Sequence, residues 1–336
     1  MKLFRYVVAA ALLSLLAACG SDDHEAEASQ PKTILAIAQG TPSLSSLVAA
    51  VQFASDNNDL VNLLSSSGTL TVFAPTNDAF DALARTLTGN ANARAADILV
   101  PANKALVKSV LQYHVLTTQV PASAIPFGKA ITPAAGGFFK IDLVANKPVI
   151  TDGRNRTSNI TATDIAASNG VVHVIDNVLL PADKTILQTV IASAPQFTSL
   201  VAALQFASDN GDLVTTLSGT GPFTVFAPTN AAFDALAREL TGNASATAAD
   251  LLVPANKALL RSVLTYHVVA SRVLKAEIPL NTAITTVQGR TFVIQSGATG
   301  VSITDGRNRV SSITATDVLN SNGVIHVVDK VILPLQ

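Results

Sequence analysis

The chain repeats itself at a constant spacing, and this duplication limits its possible folds more than any other feature of the sequence. Phe73 corresponds to Phe226, which is 153 positions later, and three short sequence motifs recur at that spacing. The motifs are Phe73–Asn77, repeated at Phe226–Asn230; Tyr113-His114, repeated at Tyr266-His267; and Thr151–Arg156, repeated at Thr304–Arg309. The spacing is far longer than the roughly 20–45 residues of a solenoid repeat. It therefore predicts two tandem copies of one domain fold.

The length of 336 residues fits this duplication, since it accommodates two domains of about 150 residues each. We expect domain 1 at 31–182 and domain 2 at 183–336, with a linker around 181–184 that is short enough for the domains to touch. The copies differ most at 116–124 and 133–149, which correspond to 269–277 and 286–302. We interpret these divergent segments as exposed loops or edge strands, where substitutions are best tolerated.

An export signal is predicted at residues 1–18. Lys2 and Arg5 form a positive region before an apolar run, Tyr6–Ala18, that is too short to span a bilayer. Leu16-Ala17-Ala18-Cys19 resembles the lipobox of bacterial lipoproteins, which implies that Cys19 carries the lipid. An ordinary signal peptide with a chance cysteine is the alternative. Residues 19–30 are acidic and predict a flexible tether. By resemblance to Gram-negative sorting signals, Gly20-Ser21 favours the outer membrane, on its periplasmic or surface face.

Composition excludes several classes of function. Lys and Arg number 22 against 23 Asp and Glu, so the chain has no strong positive field to hold nucleic acid. Cys19 is the only cysteine, which excludes internal disulfides and cysteine catalysis. The sequence contains no Gly-x-Ser-x-Gly elbow, His-Glu-x-x-His helix or phosphate-binding glycine loop. We therefore expect no enzyme, cofactor or metal site.

Local patterns predict helices first and strands later in each copy, which favours an α+β domain. Helical periodicity covers Leu44–Ala54 and Asp59–Leu64, and another helix carries Phe80 and follows Thr76 or Asn77 as its cap. A further set of segments is predicted to form strands: Thr69–Ala74, Phe138–Val144, Val149–Thr151, Ser158–Thr163 and Val171–Leu180. Asn169-Gly170 predicts a type I′ hairpin turn.

The recurring sequence motifs also resemble the signatures of the fasciclin domain. Thr71–Phe80 resembles the first signature, Asn169–Asp176 resembles the second, and Tyr113-His114 lies between them as in the family. Copy two repeats all three. The resemblance implies two tandem domains, each a compact β-sandwich or wedge of about seven strands flanked by helices. It also implies extracellular adhesion or matrix interaction, with no catalytic activity established for the family generally.

The resemblance implies two kinds of candidate adhesion residue. Tyr113-His114 and Tyr266-His267 correspond to a pair tied to adhesion in animal relatives, although core residues would satisfy the same pattern. Asp164-Ile165 corresponds to an adhesive Asp-Ile pair, whereas copy two has Asp317-Val318. A turn cap is the structural alternative for Asp164.

Paired arginines beside a turn are candidate ligands for acidic polysaccharide, because guanidinium groups bind carboxylate and sulfate bidentately. These are Arg154 and Arg156, with Arg307 and Arg309 in copy two. A solvated turn stabilised by Asp152 and Asp305 is the alternative. His173 and Asp176 are three residues apart on one strand, so they are predicted to point to opposite faces and to form no metal or acid–base pair.

The sequence therefore predicts a non-catalytic envelope adhesion protein. Its expected partners are a surface or matrix protein, an acidic polysaccharide, or a second copy of the chain, and its contact with the membrane is through lipid only. A periplasmic accessory module that binds one envelope protein is the main alternative. A hydrolase that uses His114 or His173 with a serine is a third reading, because catalytic triads are defined by geometry.

Overall fold

The computed structural model describes residues 31–297 and 300–335. The predicted signal at 1–18, the lipidation site Cys19 and the tether at 19–30 lie outside the described residues.

Copy one begins with helices and ends with strands, as the local patterns predict. Its helices are α1 (Ile34–Gln39), α2 (Ser45–Ala54), α3 (Asp59–Ser65), α4 (Asn77–Thr88), α5 (Ala95–Ile98) and α6 (Lys104–Tyr113). Its strands are β1 (Leu70–Pro75), β2 (Val115–Leu116), β3 (Ala130–Ile131), β4 (Phe139–Val144), β5 (Lys147–Thr151), β6 (Thr157–Ala167) and β7 (Gly170–Ile175).

Copy two repeats this order at the expected spacing. Its helices are α7 (Ile186–Ala192), α8 (Thr198–Ala207), α9 (Asp212–Ser218), α10 (Asn230–Thr241) and α11 (Lys257–Tyr266). Its strands are β8 (Phe223–Pro228), β9 (Val268–Val269), β10 (Ala283–Thr285), β11 (Thr291–Gly297), β12 (Gly300–Thr304), β13 (Val310–Asn320) and β14 (Gly323–Val328).

Each copy builds one seven-stranded sheet with the same strand order. In copy one the order is β2-β1-β7-β6-β5-β4-β3, and copy two repeats it with β9-β8-β14-β13-β12-β11-β10. Among the strands of the described residues, β1 with β7 and β8 with β14 are the parallel pairs. Seven strands flanked by helices confirm the predicted α+β fold, in which consecutive antiparallel strands are joined by short turns.

Two hydrophobic clusters fill each domain because strand side chains alternate between the faces of the sheet. On β1, Val72 and Ala74 join the cluster beneath the helices, whereas Phe73 joins the cluster enclosed by the curled sheet. Burying apolar surface on both faces stabilises the domain by roughly 25 cal/mol for each Å² removed from water. With a single cysteine in the chain, this packing rather than an internal disulfide stabilises the domains.

Capping residues set the ends of helix α4. The Thr76 hydroxyl accepts a hydrogen bond from the amide of Ala79 at 3.3 Å, and Gly89 ends the helix with a left-handed φ of 68°. Asn77 does not cap this helix. Its side-chain oxygen accepts from the amide of Ser46 at 2.8 Å, so Asn77 satisfies the start of α2 instead.

The hairpin between β6 and β7 differs from the predicted type I′ turn. Ser168 and Asn169 form the turn without positive φ angles, and Gly170 is the first residue of β7. A Cβ atom on Gly170 would lie 2.0 Å from the carbonyl oxygen of Leu70. Glycine is therefore required because β1 passes against the backbone of β7 there.

Sequence variation suggested that the divergent segments are exposed loops or edge strands. The structure shows that part of one such segment is neither. Strand β4 lies inside the sheet, with Phe139 and Ile141 completely buried. Phe138 and Lys140 are also buried, and they face domain 2. Part of the divergence between the copies therefore lies where the two domains meet.

Candidate functional site

The tyrosines of the Tyr-His pairs lie in the cores of their domains. Tyr113 and Tyr266 are each the last residue of a helix, and neither tyrosine is exposed. The Tyr113 hydroxyl donates to the carbonyl of Phe138 at 2.5 Å, and that of Tyr266 donates to the carbonyl of Thr291 at 2.6 Å. Burial raises the pKa of Tyr266 to about 12, so this phenol stays protonated.

The histidines that follow are equally enclosed, and both ring nitrogens of each are engaged. Nε2 of His114 accepts a hydrogen bond from the amide of Leu179 at 2.9 Å. Nδ1 therefore carries the proton and donates it to the carbonyl of Val110 at 2.7 Å. Burial lowers the pKa of His114, and equally of His267, to about 4. In the folded state these pairs bond within their own domain.

Asp164 lies on the surface at an irregularity in β6, with a left-handed φ of 57°. Its Oδ1 accepts a hydrogen bond from the amide of Ala122 at 2.8 Å, which is the backbone bond expected of a capping residue. Ile165 turns the other way and packs against the core beneath the helices. Of this pair, the Asp164 carboxylate is exposed, whereas Ile165 is half-buried.

The counterpart in copy two has a different role, because domain 1 covers it. Asp317 has the same left-handed backbone, but its Oδ2 lies 2.6 Å from Nζ of Lys140 in domain 1. The two side chains are only 4% and 11% exposed, and Asp142 lies 3.0 Å from the same ammonium. Although burial alone would lower the pKa of Lys140, its bonds to Asp317 and Asp142 raise it.

Other contacts surround this ion pair at the junction between the domains. Phe138 packs with Leu274, Leu319 and Val324 of domain 2. Asn155 bonds the backbone of Leu319 twice, at 2.6 Å to its amide and 3.0 Å to its carbonyl. The sequence predicted that the domains touch but not which residues meet, although the divergence at 133–149 and 269–277 covers part of both sides.

His173 and His326 support the backbone beside these aspartates. Nδ1 of His173 accepts from the amide of Asp164 at 3.3 Å, and its Nε2 bonds the carbonyl of Val120 at 2.9 Å. His326 makes the same two bonds to Asp317 and Val273. Asp176 bonds Asn159 at the other end of the hairpin, so His173 and Asp176 make no direct bond.

Arg156 and Arg309 belong to the structure of their turns. Asp152 is buried, and its Oδ2 accepts from Nε and Nη2 of Arg156 at 3.0 and 2.8 Å. Arg309 donates to Asp305 Oδ2 through Nε alone, at 3.2 Å, and its Nη1 pairs with Glu239 at 2.8 Å. Neither guanidinium forms the paired clamp for polysaccharide that the sequence suggested, since each already holds its own carboxylate.

Arg154 and Arg307 point away from these turn contacts. Nε of Arg154 lies 3.4 Å from the carbonyl of Pro181 and 3.3 Å from the carboxylate of Asp183. Nε of Arg307 lies 3.3 Å from the carbonyl of Pro334. Within the described residues, the terminal nitrogens of both guanidinium groups donate no hydrogen bond.

Comparison with known protein families agrees with this duplicated architecture. The family model of the fasciclin domain matches residues 42–181 and again residues 195–334. The chain belongs to the fasciclin family. Each match contains one complete sheet, together with its Tyr-His pair and Asp-centred turn.

Relatives of this fasciclin protein occur in bacteria and animals. It is 38% identical over 152 residues to Protein sll1483 of Synechocystis sp., which covers 44% of this chain and 73% of that protein. It is 28% identical over 269 residues to transforming growth factor-beta-induced protein ig-h3 of Sus scrofa. That match covers 80% of this chain and 35% of the animal protein, so the chain spans about a third of that relative's length.

A solved structure of a FAS1 domain pair from the insect cell adhesion molecule fasciclin I is also similar. It shares 17% sequence identity and a TM-score of 0.41, and the match covers 87% of this chain and 97% of the insect chain.

Neither histidine named for a hydrolase contacts a serine hydroxyl. Within the described residues, the ring nitrogens of His114 and His173 hydrogen-bond to backbone atoms, and the His173 ring also packs against Phe73. Across residues 31–297 and 300–335, no three His, Cys, Asp or Glu side chains are grouped to hold a metal ion. The helices in those ranges are too short or too polar to cross a membrane.

Proposed function

We propose that this fasciclin protein is a non-catalytic binding protein of the bacterial cell envelope that contributes to adhesion through its two domains. One observation carries the proposal: the recurring tyrosines and histidines, together with the turn arginines Arg156 and Arg309, bond inside their own domains. Binding then takes place on the outer surface and at the junction between the domains rather than in a reactive pocket. Family membership supports the same conclusion.

The proposed organisation has a lipid on Cys19 after cleavage of residues 1–18, an acidic tether at 19–30, and domains at 31–182 and 183–336. The outer membrane of a Gram-negative bacterium is the proposed site. A tether of this kind keeps both domains near one surface, so that weak binding by each adds up to stronger attachment.

Adhesion is tested by comparing attachment and aggregation of cells with and without the gene. We expect the deletion to reduce both, and added soluble Cys19→Ser protein to compete with the anchored form. Unchanged attachment, together with copurification of one stoichiometric envelope protein, would instead identify an accessory module.

Anchoring is tested in the same strain. Cys19→Ser should move the protein from the membrane fraction to the soluble fraction, while Ser21→Ala should leave it membrane-bound. Membrane retention of the Cys19→Ser protein would refute lipidation at that residue.

A further inference from the structure

A polar cleft lies where the linker between the domains passes over the Asp152–Arg156 turn. Its volume is about 380 Å³, which is within the range of small-molecule sites. The turn, the linker and helix α7 form its walls, with Leu319 of domain 2 at one side. Sites for small ligands occur preferentially at such domain junctions.

The walls of the cleft are held in place by the backbone. Gly153 touches the linker so closely that a Cβ atom there would lie 2.3 Å from the amide of Ala182. The carbonyl of Lys184 accepts a hydrogen bond from Ser321 at 2.9 Å, which fixes the other end of the linker to domain 2. A ligand would therefore meet preorganised walls and lose less free energy in ordering them.

Two cations face this space. Arg154 is anchored through Nε to Pro181 and Asp183, and its terminal nitrogens have no hydrogen-bond partner among the described residues. Lys184 is exposed and forms no ion pair within the described residues. The two side chains carry charge +2, against −1 for Asp183, so the lining favours an anion. A guanidinium fork is suited to a carboxylate.

Acceptor oxygens lie beside the cations. The Ser193 hydroxyl donates to the carbonyl of Thr189 at 2.8 Å, and the Thr189 hydroxyl donates to Asn320. Both hydroxyl oxygens keep lone pairs that can accept hydrogen bonds. The half-exposed carboxylate of Asp183 is a third acceptor. Cations next to acceptors match a molecule with one carboxylate and several hydroxyl groups.

We propose that this cleft binds a carboxylated sugar unit, with its carboxylate on Arg154 and Lys184 and its hydroxyls on Asp183, Thr189 and Ser193. The proposal rests on the proposed function as an envelope binding protein and names a ligand class for it. It replaces the paired-arginine site suggested by sequence with a site that is not repeated. Arg307 has the same anchoring, but position 336 is Gln where copy one has Asp183.

The test is calorimetric titration of the full chain with a trimer of galacturonate, using the methyl-esterified trimer and the galacturonate monomer as separate arms. We expect the acidic trimer to bind and the esterified trimer to bind at least tenfold more weakly. Binding by the monomer identifies recognition of one sugar unit, whereas binding by the trimer alone identifies a longer stretch of polysaccharide.

Matched variants locate the site. Arg154→Gln and Lys184→Gln should each weaken binding about tenfold, whereas Arg307→Gln and the exposed Lys147→Gln should change it less than twofold. Ala192→Phe narrows the cleft without changing charge and should also abolish binding, while Ala258→Phe on the exposed side of α11 should not. Thermal unfolding of each variant confirms that it folds.

Three results would overturn the site: no binding of either acidic sugar, equal binding of the esterified trimer, or equal loss in Arg307→Gln and Arg154→Gln. If the sugars do not bind but soluble protein still blocks cell attachment, the cleft proposal fails and the adhesive function stands. If the sugars bind in the cleft but attachment is unaffected by deletion of the gene, the adhesive function fails instead.

Discussion

A single imidazole, that of His114, holds the end of helix α6 to the segment that follows strand β7. It does so only as the neutral tautomer, since Nε2 must accept from Leu179 while Nδ1 donates to Val110. A protonated ring would point an N–H at the Leu179 amide. The same arrangement at His267 places two such histidines in the chain.

Acid should therefore destabilise the protein before most carboxylates are protonated. The pKa of each histidine is about 4 when folded, against the ordinary 6.5 when unfolded, so the unfolded chain binds more protons between these values. The stability that each neutral histidine contributes is fully present above about pH 6.5. It falls as the pH drops towards 4, by roughly 3 kcal/mol per histidine. Urea unfolding between pH 7 and 4 measures this slope.

His114→Gln provides the control for this pH dependence. The variant should be less stable at pH 7, because the buried bonds to Val110 and Leu179 are disrupted, and its slope below pH 6.5 should be shallower. An unchanged slope would show that His114 does not titrate on unfolding.

The Tyr-His motif was easy to find in the sequence because it recurs, but its position in the fold was not. A hydroxyl and an imidazole at a helix end satisfy a core role or a surface role equally well. The difference depends on Phe138, Leu179 and other residues that are distant along the chain and close in space.

At the scale of secondary-structure elements, the parallel pairing of β1 with β7 brings two backbones together at Gly170. The side chain of Asn169 reinforces this contact, because it accepts from the amide of Ile34 at 2.9 Å and donates to the carbonyls of Leu64 and Ser66. One turn thus fastens α1, α3 and the hairpin together.

Gly170→Ala should strongly destabilise domain 1. Its Cβ would lie 2.0 Å from the Leu70 carbonyl, and β1 cannot retreat without losing its pairing with β7. We expect a loss of about 3 kcal/mol or more in the free energy of unfolding, measured with urea. Gly68→Ala is the matched control, since its nearest neighbour would be the Leu70 side chain at 3.8 Å. Equal effects of the two changes would contradict the close-approach explanation.

Elements with local signals were predictable from the sequence. Thr76 and Gly89 mark the ends of α4 through bonds to residues three or four positions away. Asn77 looked equally like a cap, but its bonds go to Ser45, Ser46 and Pro42. Spacing along one helix does not reveal a partner on another helix, which explains this error.

For the whole molecule, the ion pair between Lys140 and Asp317 is the buried charged contact at the junction where the two domains meet. Removing one partner leaves a buried charge unpaired, which costs roughly 3–5 kcal/mol. Lys140→Val should therefore separate the domains, while Lys140→Val with Asp317→Val should be closer to the wild type. Small-angle scattering would detect separation as an increased radius of gyration.

Asp164→Asn is the matched control. Asp164 is the counterpart of Asp317 and has the same backbone geometry, but it lies on an uncovered surface. It should cost less than about 1 kcal/mol and leave the scattering unchanged. If Lys140→Val also leaves the scattering unchanged, the remaining contacts of Phe138 and Asn155 are sufficient to hold the pair.

Sequence comparison located this interface without identifying it. A surface used by only one copy is free to change in the other, and such divergence resembles that of a tolerant loop. Lys140 corresponds to Val293 and Phe138 to Thr291, so domain 2 lacks the face that domain 1 presents to it. Only the contact between the copies distinguishes these explanations.

The same differences bear on self-association. A contact between unlike faces of two similar domains leaves one face of each domain unpaired, at the two ends of the chain's domain pair. If these end faces remain complementary, further chains add to them and form an open filament. Here both end faces have changed, because Leu319 and Leu274 of domain 2 correspond to Ala166 and Pro121 in domain 1. We therefore expect the Cys19→Ser chain to sediment as a monomer. Thr291→Phe, Val293→Lys, Ala166→Leu and Pro121→Leu together should restore both faces and cause concentration-dependent association, which added Asp164→Asn should weaken. A wild-type chain that assembles through these faces would show that their divergence does not prevent docking.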